Sequence, residues 1–141
     1  MILRIMMVWE GSLLFYGCRK TEKPTHKEVP AYADFEVQVG EECFILRLIE
    51  PTQIREARAL LKENSSSKFP TGKLQRGDGG FNRCGVYRWS WHMDPASVSF
   101  AEVATEVCDG LPSFVEERVD YWVDTLQNYC PWSARLLREL P

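Results

Sequence analysis

Two alternating runs of residues, joined by one turn, constrain this fold more than any other part of the sequence. Residues 33–39 (ADFEVQV) alternate between apolar and polar side chains, as in a strand with one buried face. Gly40-Glu41 supplies a turn, and residues 43–49 (CFILRLI) form a second run rich in β-branched and aromatic side chains. Such a pair predicts a β-hairpin, so the fold is expected to contain an antiparallel sheet.

Two segments carry helical patterns. After Pro51-Thr52, apolar residues recur at helical spacing until a polar stretch at residues 64–67. Ser113 and Glu116 have the spacing of a capping box, and an apolar stripe follows them to Leu126. These patterns predict helices over residues 52–64 and 113–126.

Further strands are predicted over residues 72–76, 86–93 and 133–140. The segment 97–108 fits both the helical and the strand period, and its β-branched residues favour a strand. The fold class expected is therefore α+β, with a mainly antiparallel sheet of four to six strands packed against two helices.

The chain divides into a tail and a domain. Residues 19–30 (RKTEKPTHKEVP) are polar, contain two prolines and lack an apolar period, as in a linker. The prediction is an N-terminal tail over residues 1–30 and one α+β domain over residues 31–141. With 45% hydrophobic and 26% charged residues, the chain has the composition of a folded globular protein.

Residues 1–18 have features of an export signal, with an early Arg4, an apolar stretch and a lipid-accepting position at Cys18. Glu10 interrupts the stretch, and residues 15–17 are bulkier than a signal peptidase prefers. Two interpretations therefore remain for this segment. In the first, the chain is exported or lipid-anchored at Cys18. In the second, the segment is a mis-assigned start or a packed strand, and the protein is cytoplasmic. The segment is too short and too interrupted to predict a transmembrane helix.

Charge and cysteine spacing limit the classes of partner. Seventeen basic and 20 acidic residues give a net charge of −3, which argues against nucleic acid as a partner. Five cysteines without a CxxC pair, and only two histidines, argue against a structural zinc site. Nothing in the sequence fixes an oligomeric state.

Cys108 and Cys130 flank the second predicted helix. A disulfide between them would join the end of that helix to its start, and it would stabilise an exported chain. In a reducing compartment, the same residues would be two buried thiols.

Several short motifs resemble one family: WSWHMDP at residues 89–95, EVCDG at residues 106–110 and CPW at residues 130–132. These motifs resemble the small domains related to the calmodulin-binding protein BP seventy-four. The resemblance, which covers residues 31–139, implies a fold group and a calmodulin-binding-related function. Calmodulin targets are typically basic amphipathic helices, whereas the predicted helix over residues 113–126 is acidic.

Candidate site residues accumulate at one predicted end of the domain. The glycine-bearing loop over residues 77–85 is expected to present three of them to a partner, and the end of the aromatic strand supplies the rest. The predicted ligand-binding residues are Phe81, Asn82, Arg83, Trp89, Trp91, His92 and Asp94.

Two functions remain open on this basis. The first is a small non-enzymatic binding module with a protein partner, including a loop-presenting inhibitor, because no nucleophile with an adjacent base is recognisable. The second is a metal-dependent enzyme in which His92 and Asp94 act with the carboxylates of Glu102, Glu106 and Asp109. The binding module is expected to need no cofactor, whereas the enzyme is expected to use a divalent cation.

Overall fold

Nine short strands and two α-helices form the part of the chain, residues 31–141, that the computed structural model describes. The strands are β1 (Ala33–Val39), β2 (Glu42–Leu48), β3 (Phe69–Thr71), β4 (Leu74–Arg76), β5 (Arg83–Cys84), β6 (Tyr87–Arg88), β7 (Trp91–Met93), β8 (Ser99–Ala101) and β9 (Arg135–Glu139). The helices are α1 (Pro51–Lys62) and α2 (Pro112–Glu117). The described residues are therefore α+β, as the sequence predicts. The expectations for the N-terminal tail and Cys18 concern residues 1–30, which lie outside the described residues.

The predicted hairpin is confirmed. Strands β1 and β2 pair antiparallel with Val39 opposite Glu42, which leaves Gly40-Glu41 as the turn. Strand β9 pairs with the other edge of β1, so the order in this sheet is β2-β1-β9. The apolar face that the alternation predicts is buried, with Phe35 and Val37 fully enclosed.

A single sheet of four to six strands is not what the described residues form. The largest sheet has three strands, and the other strands pair two by two, as β3-β8, β4-β7 and β5-β6. Each of these six strands is two or three residues long. Turns and glycines lie between these short strands, and β5 and β7 contact β2 without joining its sheet, whereas β8 contacts α1.

The first predicted helix is confirmed as α1, which begins at Pro51 and ends at Lys62. It buries Ala57 and Leu60 and packs against β9 and β2. Arg58 of α1 donates two hydrogen bonds to Glu139 of β9, at 3.0 and 2.7 Å. A helix face and an ion pair thus connect the early part of the domain to its last strand.

The second predicted helix reaches Leu126, as expected, but it is interrupted at Arg118, and its predicted cap is wrong. Helix α2 ends at Glu117, and a π-helical turn over Tyr121–Leu126 follows it. The capping box does not form, because Ser113 donates from its backbone N and its Oγ to the carboxylate of Glu42, at 2.7 Å each. Glu116 instead accepts hydrogen bonds from the backbone N and Oγ of Ser90, at 2.9 and 2.7 Å.

Most of the strand predicted over residues 97–108 is also absent. Only Ser99–Ala101 pair as a strand, and a 3₁₀ turn occupies Glu106–Cys108. Of the β-branched residues that favoured a strand, Val98 is buried in the core, whereas the side chains of Val103 and Val107 are 85% and 68% exposed. The final strand, by contrast, is confirmed as β9.

Aromatic rings fill the core beneath the hairpin. The rings of Trp91, Phe44 and Tyr129 contact one another, and the Trp91 centroid lies 5.6 Å from each of the other two. Burial raises the pKa of Tyr129 well above its ordinary value, and Asp109 and Glu42 add to this shift. The phenol is therefore protonated, and it donates to the carbonyl oxygen of Gly110 at 2.6 Å.

Among residues 31–141, no helix is long and apolar enough to cross a bilayer.

Candidate functional site

The two tryptophans predicted to contact a ligand are core residues. Trp91 is fully buried, and Trp89 is nearly so, with its Nε1 donating to the carbonyl oxygen of Cys43 at 2.8 Å. The ring of Tyr87 stacks on that of Trp89, with ring centroids 4.8 Å apart. Neither tryptophan offers an open face to a ligand, because their rings hold the strand against the hairpin.

His92 is also committed to the structure of the domain. Its side chain is buried, its Nδ1 lies 2.8 Å from the carbonyl oxygen of Gly77, and its Nε2 lies 2.8 Å from Oε1 of Gln75. Phe81 packs edge-on against the imidazole at 5.4 Å. Both ring nitrogens are therefore already engaged, and neither is directed at a vacant site.

The predicted metal constellation is not assembled. Asp94 accepts a hydrogen bond from the backbone N of Ala96 at 3.0 Å, and it thereby caps a 3₁₀ turn. Within residues 31–141, the group of potential ligands close enough to share an ion is Glu36 with Cys43 and Cys84, and its two sulfurs are paired in a disulfide. His92 and Asp94 do not join the downstream carboxylates in such a group.

Asn82 is a buried connector. It is fully buried, its Oδ1 accepts from the backbone N of Ile45 at 2.8 Å, and its Nδ2 donates to the carbonyl oxygen of Trp91 at 2.7 Å. The expectation that the loop presents Asn82 to a partner is wrong for this reason. The side chain instead joins β2 to β7 through backbone groups that lie far apart in sequence.

Phe81 lies half-buried in a layered cluster at the base of the same loop. The guanidinium of Arg47 lies 4.5 Å from the Phe81 ring centroid and 3.8 Å from that of Tyr32. Asp34 accepts two hydrogen bonds from Arg47, at 2.8 and 2.9 Å, and this bonding raises the arginine pKa. A side chain at Gly79 would approach Phe81 and His92 within 3 Å, so the loop packs closely on this cluster.

Two cysteine pairs have disulfide geometry. Cys108 and Cys130 have Cα atoms 5.1 Å apart, which fits the predicted pairing. Cys43 and Cys84, with Cα atoms 5.9 Å apart, form a second pair that the sequence did not indicate. This second disulfide joins β2 directly to β5, at the end of the loop over residues 77–85.

Beyond that disulfide, the chain forms a small exposed hairpin, residues 83–88, which we call the basic tip. Strands β5 and β6 place Arg83 directly opposite Arg88. Gly85 turns the chain with a φ of +58°, and the side chain of Val86 is 89% exposed. The tip thus presents one valine between two arginines.

The two arginines of the basic tip differ in their contacts. Arg83 donates to Asp78 at 3.0 Å, whereas the contacts of Arg88 within the described chain are to the carbonyl oxygens of Gly85 and Tyr87, both at 3.4 Å. Two hydrogen bonds lower the pKa of Asp78. The bond from the backbone N of Gly80 has the larger effect, and the bond from Arg83 has the smaller one. Of the two arginines of the basic tip, Arg88 is therefore the one whose charge is more available to a partner.

Of the predicted site residues, only Arg83 lies on this exposed hairpin. Val86 and Arg88 were missed, although a signal for them existed in the sequence. A glycine followed by one residue, between two short runs, is a common two-residue hairpin connection. The prediction of one continuous strand over residues 86–93 concealed this hairpin connection at Gly85-Val86.

Comparison with known proteins gives one match. A family model described as the BP seventy-four N-terminal domain matches residues 29–141. Neither a curated protein nor a solved structure matches the chain.

Proposed function

This chain belongs to the BP seventy-four N-terminal domain family, and from its geometry we propose that the domain is a non-enzymatic binding module for an acidic protein partner. The basic tip is the surface that makes the contact. One observation carries the proposal: Val86 is 89% exposed at the end of a hairpin whose base is fixed. A rigidly supported loop that displays an apolar side chain is a common means of protein recognition.

The support beneath the tip favours this function. The Cys43–Cys84 disulfide joins the tip to β2, and the two hydrogen bonds of Asn82 hold the preceding residues to β2 and β7. A segment fixed in this way loses little conformational entropy when a partner binds. The tip is therefore preorganised, although its strands are short.

The charge of the tip indicates the kind of partner. Like charges placed directly opposite each other destabilise a strand pair, and Arg83 and Arg88 are such a pair. Asp78 offsets only Arg83. A carboxylate supplied by a partner would offset Arg88 and form a charge-assisted hydrogen bond with it.

A loop-presenting inhibitor is the narrower form of the same proposal. A protease that selects arginine holds a carboxylate in its primary pocket, and Arg88 is an exposed arginine without an ion pair among the described residues. Stoichiometric inhibition of trypsin that is lost in Arg88→Ala, but kept in Arg55→Ala, would support this form. Hydrolysis of the tip without inhibition would reject it and leave the broader proposal in place.

Crosslinking tests the binding function directly. The full chain would carry a photo-crosslinking residue at position 86 or, as a control, at exposed position 62, and it would be irradiated in an extract of its native source. We expect an adduct specific to position 86 that excess wild-type chain prevents. Arg88→Glu should compete at least tenfold less well, whereas Arg55→Glu should compete normally. Identical adducts from both positions, or equal competition by both variants, would overturn the proposal.

A further inference from the structure

A second exposed apolar surface lies on the segment that follows β8. Val103 is 85% exposed and Val107 68% exposed, and Trp132, from the chain before β9, is 40% exposed. With Glu102, Glu106 and Asp109 they form what we call the acidic patch. Exposed apolar side chains that cluster on one surface often mark an interaction site.

Three contacts hold the parts of the acidic patch together. The Cys108–Cys130 disulfide connects the 3₁₀ turn to the chain before Trp132, and the backbone N of Cys130 donates to the carbonyl oxygen of Cys108 at 2.8 Å. Asp109 also accepts a hydrogen bond from the backbone N of Trp132 at 2.9 Å. The patch is therefore supported, even though its valines do not pack in the core.

The patch contains a groove of about 330 Å³, which can receive apolar side chains. Phe69, Ala104 and Trp132 supply apolar lining, while Glu102 and Val103 line the same space. Ser66 and Ser67 complete the lining, so the groove is largely apolar and includes one carboxylate.

The charge around the groove is negative. Glu102, Glu106 and Asp109 are exposed and make no ion pair among residues 31–141. Lys68, whose pKa is raised by Glu56 and more weakly by Glu102, is bonded to Glu56 at 2.7 Å. Three carboxylates beside exposed apolar side chains complement a segment that is both apolar and basic.

We infer that the acidic patch is a docking site for a basic amphipathic segment of a protein partner. Apolar side chains of the segment enter the groove, and its lysines or arginines meet Glu102, Glu106 and Asp109. The negative charge disfavours nucleic acid and anionic membrane surfaces as occupants. This inference does not depend on the basic tip, which has the opposite charge.

Binding of a synthetic peptide tests the apolar part of the inference. The probe is a fluorescent 14-residue peptide that repeats LKKLLKL, measured by anisotropy with the full chain at two salt concentrations. Val103→Ser combined with Trp132→Ala should weaken binding roughly tenfold, because apolar contact area is lost. Val86→Ser is the matched control, since Val86 is similarly exposed but lies on the basic tip, and it should leave the affinity unchanged.

Charge reversal tests the electrostatic part. Glu102→Lys with Glu106→Lys should weaken binding of the lysine peptide and allow binding of a peptide that repeats LEELLEL. Glu41→Lys with Glu63→Lys makes the same change in net charge at exposed positions outside the patch, and it should have a smaller effect. Thermal melting of each variant checks that the domain remains folded.

Several outcomes would overturn the inference. Equal weakening by the two charge reversals would mean that the peptide responds only to overall charge. Unchanged binding after Val103→Ser with Trp132→Ala would show that the groove is not used. A concentration-dependent dimer that Val103→Ser abolishes in sedimentation would identify a second copy of the chain as the occupant. Failure of the tip crosslinking experiment would leave this inference unaffected, since Val86→Ser separates the two surfaces.

Discussion

The basic tip and the acidic patch are built by the same means and differ in charge. Each displays a valine that is more than four-fifths exposed, and each is joined by a disulfide to a distant part of the chain. The tip places Val86 between two arginines, whereas the patch places Val103 and Val107 among three carboxylates. The net charge of −3 therefore describes neither surface.

This difference changes what overall charge can indicate about partners. Near-neutral composition argued against a strong long-range field, and that argument concerns the whole molecule. Local recognition depends instead on which charges lie beside exposed apolar groups. Two surfaces of opposite sign can therefore select different partners in one small domain.

Removing the disulfides should have the largest effect. Cys43→Ser with Cys84→Ser is expected to lower the free energy of unfolding by roughly 4 kcal/mol, because this bond spans a sequence separation of 41 residues. The Cys108 and Cys130 double variant, with a separation of 22, should lose roughly 3 kcal/mol. Urea unfolding without reductant measures both. Unchanged stability in either double variant would show that its cysteines are not bonded in the native chain.

The next effect concerns the buried support of the tip. Asn82→Ala should reduce the free energy of unfolding by about 3 kcal/mol, because the backbone groups of Ile45 and Trp91 lose buried partners. Asn128→Ala is the matched control, because the half-buried amide of Asn128 bonds the side chain of Thr71 in β3. This variant should lower the free energy of unfolding by about 1 kcal/mol or less. Equal losses in urea unfolding would mean that Asn82 has no special role.

The smallest effect is the pH dependence of the tip loop. The pKa of Asp78 lies below its ordinary value, so its bonds stabilise the folded loop above the ordinary pKa and are lost as pH falls through the lower folded value. NMR titration should show Asp78 ionised at pH values where a free aspartate is already protonated. Arg83→Gln should raise this pKa only in part, because the hydrogen bond from Gly80 remains. A full return to the ordinary value would assign the whole shift to Arg83.

Elements with a local pattern were predictable, and elements fixed by distant partners were not. The β1-β2 hairpin, α1 and β9 follow from alternation, helical spacing and a two-residue turn. Ser113 and Glu116 have the local spacing of a capping box, yet Glu42 and Ser90 bond them instead. Those bonds span 71 and 26 residues, so no local pattern in the sequence could have indicated them.

The burial of several predicted site residues was not predictable for the same reason. Residues 89–94 are chemically unusual, and they are unusual because the core uses them: Trp91 packs on Phe44 and Tyr129, and His92 bonds the loop beside it. Burial depends on contacts across the fold, which one sequence does not display. The family resemblance, which rests in part on these residues, was correct, because core residues also distinguish a fold.

The pairing of β9 with β1 has a consequence for biosynthesis. Arg138 bonds Glu36 across a separation of 102 residues, and among residues 31–141 the strand that pairs with the second edge of β1 is β9. A ribosome releases β1 and β2 well before β9, so one edge of the nascent hairpin lacks its native partner strand while the intervening residues are translated. Contacts between distant residues also slow folding. The domain therefore completes its central sheet only after β9 has left the ribosome, and until then this edge of β1 lacks the strand that pairs with it in the folded domain.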